Sequence, residues 1–437
     1  MDKYRLSKYN CFLRIKDAVV GVNLCNKTLF SISLDKYEQL EKYKSSLEIL
    51  EEENPILFSA MYKLGIIEEV SVNFSNMLLM KNRATIFDNK YHLVINPTLN
   101  CNFSCWYCYE SHNKSIMEKS TMQAIIKFIE YIVKDLHIKY LHIEWFGGEP
   151  LLCFENRMKP ISIEAKRICS ENNAYFDSGI TTNGFFIKKE MMPFFKEHNF
   201  KNFQITLDGK RDTHNLVRVH NGTQNSYDKI VQNICLVASE SIDVSMRINY
   251  THDSIDDCVE IIDSIPVELR EKISVGLVQV WQDKRIQEVS FEKFNKIYEI
   301  FKQNGFRVNT NIFNCKSFIC YADLYNEAVI NYDGKVFKCT TNDFGKDKEE
   351  GILTDEGRII WDEVKLSKRL SRATFDNKNC IQCKYLPICS GRCSEQVFIR
   401  EENIMSNCPF KPRFNEKVRL RMKQFKKSGM KLGYLIQ

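Results

Sequence analysis

His92-Leu93-Val94-Ile95-Asn96, followed after four residues by Cys101-Asn102-Phe103-Ser104-Cys105-Trp106-Tyr107-Cys108, is the passage from which the rest of the chain is read. The first run is apolar and β-branched, the pattern of a buried strand. The second is C-x3-C-x2-C on one short loop directly after that strand. Three thiolates so placed can grip a single face of an iron–sulfur cube. No fourth cysteine follows, whereas a structural zinc site closes its coordination with four ligands. The open position leaves something else to bind. A zinc ion with a distant fourth ligand, for which His112 lies near, competes for the same residues.

Outward from this passage, β-like runs alternate with helical ones from Tyr91 to about Arg285. The strands are expected at His92–Asn96, Leu141–Trp145, Gly179–Asn183, Phe203–Leu207, Val244–Tyr250 and Ile273–Val280, with amphipathic stretches such as Ser120–Leu136 and Asp228–Ser239 between them. Six such alternations predict an α/β fold with a parallel sheet, open or curled into a partial (β/α)6 barrel. Chemistry in such folds gathers at the carboxyl ends of the strands. Before this region, strand-like runs at Cys11–Ile15, Val19–Leu24 and Thr28–Ser33 precede helices around Asp35–Lys44 and Asn54–Leu64, a small α+β module. After it, from about Asn311 to Cys408, periodicity fades and cysteines return, which suggests organisation around metal. A basic stretch, Lys411 to Lys431, reads as a solvated helix with Arg419, Lys423, Lys426 and Lys427 near one face.

Composition narrows the class of function. The 437 residues are 44% hydrophobic and 27% charged, a soluble globular profile, and the formal net charge of +6 does not single out nucleic acid as a partner. No apolar run approaches the roughly 18 residues that span a bilayer, and Met1 to Ala18 has no signal-peptide core, so a cytoplasmic protein is expected. In that compartment, 17 cysteines signify metal or redox chemistry rather than disulfides. Outside two clusters, Cys11, Cys25, Cys153, Cys169, Cys235 and Cys258 read as small buried apolar residues. The second cluster is Cys315, Cys320, Cys339, Cys380, Cys383, Cys389, Cys393 and Cys408. Its spacing is C-x4-C-x13-G-x4-C with Gly334 as the glycine, then C-x2-C-x5-C-x3-C-x14-C. Eight ligands close two four-coordinate sites, and two zinc ribbons would use the same array.

The C-x3-C-x2-C triad resembles that of radical S-adenosylmethionine (SAM) enzymes. The resemblance implies that Cys101, Cys105 and Cys108 hold a [4Fe-4S] cluster whose open iron is chelated by SAM, which is reductively cleaved to a 5′-deoxyadenosyl radical. Tyr107 matches the family's aromatic before the last cysteine. Gly147-Gly148-Glu149-Pro150, ending the second strand, matches its GGEP element, where backbone meets the cofactor's ammonium; taken alone it could be a turn. Thr182 and Asn183, within Thr181-Thr182-Asn183-Gly184, are similar to the element lining the ribose. Thr206 and Asp208 end the fourth strand, and Arg247 with Asn249 lie on the fifth, where relatives meet the cofactor's carboxylate or ribose. Asp208-Gly209 also suits a plain turn, and Arg247 a surface ion pair. The second cysteine cluster resembles a SPASM extension, which implies two auxiliary [4Fe-4S] clusters: one on Cys315, Cys320, Cys339 and Cys393, the other on Cys380, Cys383, Cys389 and Cys408. Cys315 is the ligand some relatives omit.

The expected organisation is a winged-helix-like leader-recognition module (1–88), a radical SAM partial barrel (89–305), a SPASM domain (306–412) and a basic C-terminal helix (413–437). SPASM-bearing enzymes mostly act on peptides. The first module is similar to elements that hold a precursor's leader as an added strand, although a plain domain extension has the same outline. Sulfatase-maturing relatives carry a catalytic aspartate after the cysteine of G-x4-C, where this chain has Thr340 after Cys339. The resemblance therefore implies a maturase that forms a thioether or carbon–carbon cross-link in a ribosomal precursor peptide. Its electrons would come from a reductant such as flavodoxin or ferredoxin, with no nucleic-acid or membrane partner. Formylglycine formation on a sulfatase is the alternative, and a non-enzymatic electron carrier would leave GGEP without a purpose.

Overall fold

A computed structural model describes residues 2–283, 289–308, 319–344, 348–371, 375, 377–389, 394–395, 410–427 and 435–436. Two compact units emerge: Met1–Ile86 with Asn311–Cys320 and Lys368–Gln437, and Phe87–Thr310 with Tyr321–Ser367.

The first unit opens with β1 (Tyr4–Leu6), β2 (Asn10–Arg14), β3 (Ala18–Asn23), β4 (Thr28–Ser33), α1 (Leu34–Tyr43), α2 (Leu47–Glu53), α3 (Pro55–Lys63), β5 (Ile67–Glu69) and α4 (Phe74–Ile86). β2, β3 and β4 form an antiparallel meander, the α+β module expected. Asn54 caps α3, its Oδ1 accepting from Leu57 N at 3.2 Å, and Pro55 follows as the first helical residue. The sheet's alternation feeds two cores. Phe30 and Ile32 pack with Leu40, Leu50, Leu57 and Met61 of the helices. Cys11, Val20 and Val22 pack instead with Tyr385, Leu386, Ile388, Val418 and Met422 from the later part of this unit.

The second unit runs β6 (Lys90–Ile95), β7 (Phe103–Cys105), α5 (Lys119–Lys134), β8 (Tyr140–Trp145), α6 (Lys159–Glu171), β9 (Tyr175–Thr182), α7 (Met192–Glu197), β10 (Phe200–Thr206), α8 (Arg211–Val217), β11 (Arg218–His220), α9 (Tyr227–Ser239), β12 (Asp243–Tyr250), β13 (Ile273–Gln279), α10 (Phe291–Gln303), β14 (Arg307–Val308), β15 (Glu327–Ile330), β16 (Lys335–Phe337), β17 (Gly351–Leu353) and β18 (Ile359–Trp361). β7 and β11 pair with each other in a two-stranded antiparallel sheet, and the other strands form one open sheet in the order β14-β13-β12-β10-β9-β8-β6-β15-β16-β17-β18. All pairs from β14 to β15 are parallel, so the six expected strands stand side by side in chain order. Period-2 alternation divides each strand between faces. Leu141, Ile143 and Trp145 of β8, with Val244, Met246 and Ile248 of β12, enter the core with the helices. His142, Glu144, Arg247 and Asn249 line the opposite, half-buried face.

Of the remaining elements, α11 (Glu363–Leu370) begins in the second unit and ends in the first, while α12 (Lys378–Ile381), α13 (Leu386–Cys389), α14 (Phe410–Lys427) and β19 (Leu435–Ile436) belong to the first. Here the sequence expectations need correction. The region after Asn311 is not organised by cysteines alone: β15 is buried along its whole length, pairs with β6, and leads β16–β18 into the large sheet. The basic helix is not merely solvated either. Arg419 and Lys423 are exposed, but Val418 and Met422 are buried against the N-terminal sheet. β19 pairs in parallel with the edge of β4, Leu435 opposite Ser31 and Ile436 opposite Ile32. Of the six unclustered cysteines, Cys11, Cys153, Cys169 and Cys258 are buried, while Cys25 and Cys235 are only half-buried. Among the described residues, no helix is long and apolar enough to cross a membrane.

Phe203 anchors the main core on the helical side of β10, fully buried with its ring 5.0 Å from that of Phe195. Phe203→Ala is expected to cost about 3–5 kcal/mol of unfolding free energy, measured by denaturant titration; a loss below about 1 kcal/mol would contradict this packing.

Candidate active site

The strand ends deliver the site. β6 stops at Ile95 and the chain turns into the triad loop; β8 stops at Trp145, directly opposite Ile95 in register, and turns into Gly147-Gly148-Glu149-Pro150. The two loops then pack backbone to backbone. Gly148 N donates to Thr98 O at 3.1 Å, and Glu149 N to Asn100 O at 2.9 Å. Neither glycine can carry a side chain there. A Cβ on Gly147, whose φ is +103°, would lie 2.4 Å from Thr98 O, and one on Gly148 would lie 2.4 Å from both Leu99 O and Asn100 O.

Glu149 is fully buried and acts as a rivet. Its carboxylate accepts from Leu151 N at 3.0 Å, Thr182 Oγ1 at 2.7 Å and Asn183 N at 2.8 Å. Burial pushes its pKa up to about 7, while the donors from Asn183, Thr182 and Leu151 pull it back. Pro150, also buried, opens the turn behind it. Asn183 Nδ2 continues to Asn102 Oδ1 at 2.7 Å and approaches Cys101 Sγ at 3.9 Å. The GGEP and TTNG elements are thus tied to the triad loop.

A second knot forms around Tyr107. Its hydroxyl donates to Asp208 Oδ2 and accepts from Arg218 Nη1 at 3.0 Å and Asn249 Nδ2 at 3.1 Å. Asn249 N donates to Asp208 Oδ1 at 2.9 Å, so Asp208 is no plain turn residue. Arg247 is not an exposed ion pair: its Nε donates to Asn249 Oδ1 at 2.9 Å from the half-buried face of β12. Thr206 is buried at the end of β10. Burial raises Asp208 above the usual carboxylate range, opposed by Arg218.

Of the triad cysteines, Cys101 and Cys105 are half-buried and Cys108 is exposed, though surrounding groups still screen its thiol. Burial pushes Cys101 up to about 12 and Cys108 up to about 11, and raises Cys105, while the Arg218 charge pulls all three down. Phe103 N also donates to Cys101 Sγ at 3.4 Å. This donor set fits a soft cluster: three thiols on one loop, a backbone N–H to sulfur, a buried cation, and a glycine cradle beside them. Among the described residues, no group of three or more His, Cys, Asp or Glu is disposed to hold a single metal ion. His112, the alternative zinc ligand, has its Nδ1 3.1 Å from Leu99 O.

Of the second cluster, Cys315, Cys393 and Cys408 lie outside the described residues. Cys320 is exposed, Cys339 is buried, and Cys380, Cys383 and Cys389 are half-buried. Cys339 Sγ accepts from Thr341 N at 3.4 Å. Cys383 N donates to Cys380 O at 3.0 Å, and Cys389 N to Tyr385 O at 2.8 Å, which sets these cysteines on successive tight turns.

Sequence reasoning missed Arg218 and His214. His214 Nδ1 accepts from Asp208 N at 3.2 Å, and burial holds the ring well below its usual pKa, in the neutral form that can accept. The spacing His-x3-Arg was the only local signal, and alone it says nothing.

This buried polar rim stands at the carboxyl ends of parallel strands, where open α/β sheets place their ligand sites. Residues 95–265 match the Radical SAM superfamily. It is 24% identical over 344 residues, 70% of this chain and 68% of its relative, to the radical SAM cyclopropyl synthase TigE of Paramaledivibacter caminithermalis. It is also 24% identical over 152 residues, 33% of this chain and 35% of the relative, to a serine-type anaerobic sulfatase-maturating enzyme of Bacteroides thetaiotaomicron. In fold it is similar to Streptococcus suis SuiB bound to its precursor peptide SuiA, with a TM-score of 0.50, 15% identity, and coverage of 92% of this chain and 97% of that one.

Gly148→Ala is expected to weaken SAM binding at least tenfold, about 1.4 kcal/mol, with the circular dichroism spectrum retained. Equilibrium dialysis of the iron-reconstituted protein measures this. Unchanged affinity would mean that the close loop contact is dispensable.

Proposed function

We propose that this chain is a radical SAM maturase that cross-links a ribosomally made precursor peptide. The observation that carries the reading is the open thiol triad locked to GGEP at the carboxyl edge of the parallel sheet. Cys101, Cys105 and Cys108 would hold a [4Fe-4S] cluster there, which together with SAM would supply the radical chemistry for taking a hydrogen atom from substrate. The chain's residues do the rest. Glu149, Thr182 and Asn183 fix the loops that would meet SAM. Tyr107, held by Asp208, Arg218 and Asn249, closes one side of the triad against water, which a radical pocket must exclude. Arg247, on the same face, is left to meet the cofactor's carboxylate.

Two further features favour a peptide over other substrates. The edge of β4 already takes an extended segment, Leu435–Ile436, in main-chain pairing. A leader peptide that displaced this segment would gain affinity from the same backbone groups. The relative SuiB is seen with a precursor peptide, and we extend a peptide partner to this chain on that ground. Cys320, Cys339, Cys380, Cys383 and Cys389, with Cys315, Cys393 and Cys408, would hold two auxiliary clusters, and a low-potential carrier such as flavodoxin or ferredoxin would supply electrons in the cytoplasm.

Formylglycine formation is the second reading, favoured by the sulfatase-maturating relative. Against it stands Thr340. Its carbonyl accepts from Tyr109 OH at 2.8 Å and its hydroxyl pairs with Tyr321 OH, so the position offers no carboxylate base.

Anaerobic assay with reductant, SAM and two peptides separates the readings. On a Cys-containing precursor, loss of two hydrogens per event is expected, with thiols blocked for a thioether or free for a carbon–carbon link. An aldehyde on a sulfatase-derived Cys peptide, with the precursor untouched, would overturn the proposal.

A further inference from the structure

Arg218 opens β11, and its register partner on β7 is Cys105. It is 6% exposed. Its guanidinium lies over the Phe103 ring, 5.3 Å from the centroid, and Nη1 donates to Tyr107 OH at 3.0 Å. Its Nε–H has no partner among the described residues. Asp208 receives the Tyr107 hydrogen bond, which places that carboxylate one bond further from the guanidinium. A cation is therefore buried beside one triad cysteine and within a few residues of the other two, held in place by an aromatic face and a phenol.

Burying a guanidinium is costly unless a negative charge answers it. Asp208 across Tyr107 answers part of it, and three thiolates around an iron–sulfur cluster would answer the rest. Adding one electron to such a cluster, from a low-potential one-electron donor, puts one more negative charge into the site. Net charge and hydrogen bonding around the sulfurs set a cluster's reduction potential. We propose that Arg218 is a positioning residue whose buried charge favours the reduced form of the cluster on Cys101, Cys105 and Cys108, raising its potential. Asp208, a negative charge on the other side of Tyr107, acts in the opposite direction. The inference rests on the triad holding a cluster, the reading proposed above.

The test is an EPR-monitored redox titration of the full, cluster-loaded chain, following the signal that changes when SAM is added. Arg218→Gln is expected to lower the reduced-to-oxidised ratio at fixed ambient potential by tenfold or more, equivalent to 59 mV for a one-electron couple. Arg218→Lys keeps the charge and stays within about threefold of wild type. Asp208→Asn shifts the ratio the opposite way, upward. Loss of packing would not give opposite signs. An unchanged ratio in Arg218→Gln, equal falls in the Gln and Lys variants, or a fall in Asp208→Asn would each overturn the inference. If Arg218→Gln does not retain iron at the triad, Asp208→Asn decides: a ratio that fails to rise overturns it. A wild-type protein with no SAM-sensitive signal would instead sink the cluster reading itself.

Discussion

Three thiols must be kept together on a loop of eight residues, Cys101 and Cys105 half-buried and Cys108 exposed; nearly everything around them answers that constraint. Burial disfavours their ionisation, so the fold needs donors and positive charge close by. It provides them from three places: a backbone N–H of the triad loop itself, the Asn183 amide beyond β9, and the Arg218 guanidinium at the start of β11. The parallel sheet matters because it sets several strand ends side by side.

The second requirement is that the triad loop be indexed against the rest of the site. Two glycines with no room for a Cβ let the GGEP loop press on residues 98–100, and buried Glu149 then reaches across to Thr182 and Asn183. Tyr107 does the same toward β10 and β12 through Asp208 and Asn249. The positions of the GGEP loop and the triad loop are thereby coupled. A shift of one loop would be felt by the others because the hydrogen bonds that join them are buried and would be left unpaired.

Local chemistry was legible in the sequence and long-range chemistry was not. The triad, GGEP and TTNG are short and carry their own spacing. The strands of the large sheet alternate visibly, as Val244, Met246 and Ile248 do in β12. β9 starts four residues before its apolar signal suggests, at Tyr175, because Asp177 and Ser178 are buried polar residues that mask the pattern. The β1–β5 pair joins three-residue strands some 60 residues apart, too short for any period to show. Arg218 stood unnoticed because its partner Tyr107 lies 111 residues away. The fading of regular pattern after Asn311 hid β15, whose buried run of four residues is shorter than a readable strand.

The central claim is that Cys101, Cys105 and Cys108 hold a cluster with one iron open to SAM. Electron–nuclear double resonance on the reduced protein, with SAM labelled by 15N at its amino group, tests it most directly. The account predicts a 15N coupling in the wild-type protein that vanishes in Cys105→Ala. A reduced spectrum that shows no coupling and does not change when SAM is added would contradict it.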